Sequence, residues 1–170
     1  MNREALLLRY RVVLGAFILG LVVSGVTAFP LLHELEWLAR SLGIPADAAP
    51  ASLRGLRFWI GTVREGLRAI HASYPWLAYG TDWLAFGHLI IALFFIGPWR
   101  EPVANAWVLK VGLIACAAVL PLALICGPIR GIPFYWRLID CGFGVLGAVP
   151  LLYCLRLTRD LRGGAWTDSR

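Results

Sequence analysis

Apolar residues along this chain fall into four blocks, at residues 12–32, 76–97, 106–125 and 134–155, with arginine, proline and glycine collecting between them. A helix rises 1.5 Å per residue, so about 20 residues cross a hydrocarbon core of about 30 Å, and each block is close to that length. Lipid offers no water to the backbone. A spanning segment must therefore satisfy its own N–H and C=O groups, which selects helix. The pattern predicts an all-α membrane protein: a four-transmembrane-helix bundle forming a single domain over residues 1–170.

The breaks between blocks are marked. Pro30 is expected to end or bend the first span, Gly97-Pro98 to close the second, and GPIRGIP (127–133) to turn the chain between the third and fourth. The segment 33–75 is the one sizeable stretch outside the blocks. Within it, GIPADAAPAS (43–52) reads as a breaker, after which Ser52 is placed to cap a helix running to about Ala72. Leu56, Trp59, Ile60, Val63, Leu67 and Ile70 make an apolar stripe on that helix, and Arg57, Gly61, Arg64, Arg68 and His71 line another face. This predicts one amphipathic extracytoplasmic helix lying in the membrane interface. Arg57, Arg64, Arg68 and His71 are then candidates for phospholipid headgroups, the competing reading being a solvated basic face.

Composition sharpens the picture. Hydrophobic residues make up 59% of the chain, against about 45–50% in a soluble domain, and the mean hydropathy is +0.72. The net charge is +6, almost wholly from arginine. Those arginines sit beside apolar blocks and no nucleic-acid motif accompanies them, so the lipid bilayer is the expected partner, together with other membrane proteins or a second copy of the chain; nucleic acid is not expected. Arg3, Arg9 and Arg11 precede the first block, Arg100 lies between the second and third, and Arg156, Arg159 and Arg162 follow the fourth. Alternating spans put all of these on one side, which the positive-inside rule makes cytoplasmic, with both termini. Arg40, Arg54, Arg57, Arg64 and Arg68 in segment 33–75 count against this orientation, although most lie far from a span end. The arginine bias gives a general impression of a bacterial cytoplasmic membrane protein. The basic start and apolar run resemble a signal peptide, but a run of about 20 residues suits a span better.

Packing within lipid needs close backbone approach. Ala16, Gly20, Ser24 and Ala28 recur at four-residue steps in the first block, and Gly144, Gly147 and Ala148 share a face in the fourth. These stripes are expected to meet in the centre of the bundle. Cys116, Cys126, Cys141 and Cys154 all fall in predicted spans with no CxxC pair, which suits small apolar residues better than a redox or zinc site.

Candidate chemistry lies where charge enters apolar blocks, at a cost of about 2.5–3.5 kcal/mol per charged residue at a helix centre. His33, Asp82, His88, Arg137 and Asp140 all come from what the topology makes the outer half. The plain reading is structural, with Arg137 pairing to Asp140 or Asp82 and fixing helix register. The sharper one is a buried site for a haem, quinone or metal, or for a proton or lipid. The spacing matches no metal motif, so no metal and no cofactor is assigned. Asp82 and His88 are six residues apart and do not face one another on a helix, and no nucleophile motif is present, so no catalytic residue is assigned. The expected function is a subunit or scaffold of a membrane complex, with the outer-side site as the alternative.

Overall fold

The computed structural model describes residues 2–164. It is 85% helical, with no strand among the described residues. Among the described residues eight α-helices follow in order: α1 (Arg3–Ala28), α2 (Leu31–Ser41), α3 (Gly55–Ser73), α4 (Pro75–Phe94), α5 (Ile96–Arg100), α6 (Ala106–Pro121), α7 (Gly127–Ile129) and α8 (Phe134–Gly164). Among the described residues four stretches are long and apolar enough to cross a membrane: Arg3–Ala28, Pro75–Arg100, Ala106–Ile129 and Phe134–Gly163.

Two span ends differ from the sequence expectation. Gly97-Pro98 does not close the second span, because α5 carries it on to Arg100 after a local tightening at Phe95. Pro98 lies in the first turn of α5, where a missing N–H goes unnoticed by the helix. The third span passes residue 125: Leu122–Cys126 is a π-helical turn after Pro121, and α7 continues it to Ile129. Pro75 opens α4 at its first position, where its fixed φ suits a helix start.

The chain forms two compact units, Met1–Gly20 with Ile91–Arg170, and Leu21–Ile90. In the first unit α6 and α8 make the main helix–helix contact. Glycine permits it. A Cβ on Gly144 would lie 2.5 Å from the Cys116 carbonyl oxygen, and one on Gly147 would lie 3.1 Å from Cys116 Sγ. Gly112 is pressed in the same way by Phe95 and Leu151. Tyr10, Leu14, Leu109, Leu151 and Cys154 are fully buried, Phe17 and Phe95 pack edge to face at 4.9 Å, and Trp99 Nε1 donates to the Arg11 carbonyl at 3.0 Å.

The second unit holds the segment between the first two spans. Helix α2 ends in a Schellman turn: Gly43, with φ +67°, donates to Arg40 and Ile44 donates to Ala39. Buried Ile44 then joins Leu35, Ala39 and Ile60 in a small apolar centre. Ser52 does not cap α3. It closes a 3₁₀ turn, Pro50–Ser52, with its hydroxyl donating to the Ala49 carbonyl at 2.7 Å, and α3 starts later, at Gly55. In the same unit α1 and α4 approach closely at Gly25, where an added Cβ would lie 2.9 Å from the Ala85 carbonyl oxygen.

The stripe on α1 is placed differently from the expectation that it packs inside the chain. Ala16, Gly20 and Ser24 are exposed, Ala28 is half-buried, and a Cβ on Gly20 would meet nothing within 4 Å. The packing glycine of that region is Gly25, one position off the stripe.

Candidate functional site

The five polar residues divide between the units. His33, Asp82 and His88 belong to Leu21–Ile90, and Arg137 and Asp140 to the other unit.

In the second unit, Tyr79, Asp82, Trp83 and Phe86 share one side of α4 because they are three and four residues apart. With Phe29 they line an open pocket of about 300 Å³. The rings stack edge to face: Tyr79 on Trp83 at 6.0 Å, and Trp83 on Phe86 at 5.8 Å. Within this unit Asp82 makes no ion pair or hydrogen bond with a described residue. An unpaired carboxylate against aromatic faces suits an amphiphilic cation, which gains from both the charge and the ring quadrupoles.

His88 lies around the helix from Asp82. Its Cβ borders the close approach at Gly25, and its Nδ1 pairs with the carbonyl of Leu84 at 2.8 Å. With Nδ1 protonated, that bond leaves Nε2 free to accept a proton or a ligand. The same local bond recurs at exposed His71, whose Nδ1 pairs with the Leu67 carbonyl at 2.9 Å, so it follows from helix geometry and does not by itself mark a site. His33 is exposed on α2.

In the first unit, Asp140 lines a cleft of about 230 Å³ beside the π-helical turn, with Leu122, Cys126, Gly127, Arg130 and Ile132. Pro121 supplies no N–H, and the turn that follows widens the helix by one residue, which is how π-turns often shape sites. Arg137 does not join Asp140 in an ion pair. Its stem packs directly over Gly127, where an added Cβ would force it to shift, its guanidinium carbon lies 5.2 Å from the Phe134 ring centre, and Nε is buried without a hydrogen-bond partner among the described residues.

Neither family models, nor curated proteins, nor solved structures match this chain. Chemistry therefore rests on geometry. Among the described residues no group of three or more His, Cys, Asp or Glu side chains is placed to hold a metal ion.

The basic residues of α3 take separate roles. Arg64 is buried and donates from Nη2 to the Pro45 carbonyl at 2.9 Å. Arg68 donates from Nε to Glu36 at 3.0 Å, completes the ion pair through Nη2 at 2.9 Å, and donates from Nη1 to the Ala46 carbonyl at 3.0 Å. These two arginines hold the chain's own turn, which leaves Arg57 and His71 as the exposed members of the set. Arg68 holds the Glu36 carboxyl below the usual carboxylate range, chiefly through its hydrogen bond; desolvation opposes this, and the charges of Arg68, His33 and Arg40 add to it. Sequence reasoning missed the π-helical turn and the aromatic pocket. Pro121 within an apolar run, and aromatic residues at 79, 83 and 86, were the available signals.

Proposed function

We propose that the chain is a non-catalytic subunit of a bacterial cytoplasmic membrane complex. In this reading the four spans pack as a bundle with both termini cytoplasmic, and α3 lies as an amphipathic helix on the outer surface. The exposed stripe of α1 receives a transmembrane helix of a partner membrane protein. One observation carries the proposal: only 17–22% of the residues in the most apolar window of each span are buried inside the chain. The spans turn most of their surface outward, and small residues at Ala16, Gly20 and Ser24 let a second backbone come close.

Photo-cross-linkers placed singly at residues 16, 20 and 24 in native membranes test this. They are expected to trap a protein of one discrete mass, whereas position 26, exposed and off the stripe, traps lipid. Lipid alone at all four positions would overturn the proposal.

The unpaired Asp82 in its aromatic pocket favours a second reading, an outer-side ligand site. Retention of a hydrophobic quaternary ammonium probe by the purified chain, lost in Asp82→Asn, would support it; equal retention by both proteins would dismiss it.

A further inference from the structure

One end of the first unit carries a cleft that neither reading uses. Arg3, Leu7 and Arg11 are four residues apart and so fall on one side of α1. They line a cavity of about 370 Å³ together with Arg100, Val103 and Leu161. The start of the first span, the link between the second and third, and the end of the fourth thus converge on one opening. Its charge is uneven. Three arginines, Arg3, Arg11 and Arg100, line it against one acidic residue, Glu101. Arg3, Arg11 and Arg100 form no ion pair with a described residue. Arg11 is held in place: its carbonyl accepts from Trp99, and its guanidinium carbon sits 5.6 Å from the Trp99 ring centre.

Three unpaired guanidinium groups around one concavity match the oxygens of a phosphate ester, which they can bind through paired N–H donors. Leu7, Val103 and Leu161 give the wall an apolar part, and the opening lies at the end of membrane-spanning helices. A free phosphate ion would gain nothing from that wall, while a phosphodiester carrying acyl chains would use both parts. We propose that this cleft binds the headgroup of an anionic phospholipid. Basic recesses between transmembrane helices at a membrane surface are suited to such headgroups.

Native mass spectrometry of the full chain in detergent tests the proposal, with phosphatidylglycerol, phosphatidylcholine and inorganic phosphate as probes. Arg3→Gln/Arg100→Gln is the variant, because neither side chain supports a described contact. Arg159→Gln/Arg162→Gln, which removes the same charge from exposed positions on α8, is the control. Each arginine near an anionic lipid contributes about 1 kcal/mol, or about fivefold. Retention of phosphatidylglycerol is therefore expected to fall about tenfold or more in the cleft variant and to stay near wild type in the control, with phosphatidylcholine weak in all three. Equal losses in both variants would overturn the cleft and leave only general charge attraction. Displacement of phosphatidylglycerol by millimolar inorganic phosphate would overturn the lipid in favour of a soluble phosphate.

Discussion

A methyl group added to Gly144 would sit 2.5 Å from a backbone oxygen of α6, which cannot swing away as a side chain could. Gly144→Ala should therefore destabilise the chain by about 1–3 kcal/mol, the usual range for overpacking, and raise its sensitivity to denaturant in detergent. Gly20→Leu should leave that stability unchanged, since the added atoms enter open space. Sequence periodicity identified both glycines as members of small-residue faces. It could not rank them, because spacing defines a face and says nothing about what lies opposite. Arg64 shows the same limit. Its position on α3 suggested a headgroup ligand, but its partner is the Pro45 carbonyl 19 residues earlier, beyond the reach of any local pattern. Arg64→Ala should lower protection of the 44–53 segment in hydrogen exchange by about 1 kcal/mol, the net worth of one such bond, while Arg57→Ala leaves it unchanged.

At the scale of elements, α2 and α3 share an apolar centre and one ion pair, Arg68 with Glu36, and that pair depends on pH. Glu36 is held below its ordinary value of 4.5. A carboxyl with a depressed folded value adds stability that is complete above its unfolded value and fades as pH falls through the lower, folded one. Hydrogen exchange in α3 should quicken as pH drops below 4.5, after correction for intrinsic rates, and Glu36→Gln should remove that dependence. The effect is small, because both partners are partly exposed and solvent screens them. The four spans were legible in sequence, since length and continuous apolarity are local properties. The π-helical turn and the passage of α5 through Pro98 were not. Proline signals a break only when its neighbours cannot absorb it, and here a helix start and a widened turn do so.

At the scale of the whole molecule, the polar residues were legible as a set but not as a site. His33, Asp82, His88, Arg137 and Asp140 stood out by their cost in lipid, yet their surroundings come from distant parts of the chain. Arg137 packs over Gly127, and Asp82 faces aromatic rings. The basic cleft was hidden for the same reason, since Arg3 and Arg100 read separately as topology signals.

If α1 offers its small-residue stripe to a partner helix, the assembly depends on Gly20. The most direct measurement is the size and composition of the particle purified in mild detergent from native membranes, for wild type and Gly20→Leu side by side. Wild type is expected to purify as a larger assembly containing a second membrane protein, and Gly20→Leu as a lone chain with unchanged helicity and melting temperature. A wild-type particle containing this chain alone, or the same assembly formed by both proteins, would contradict this expectation.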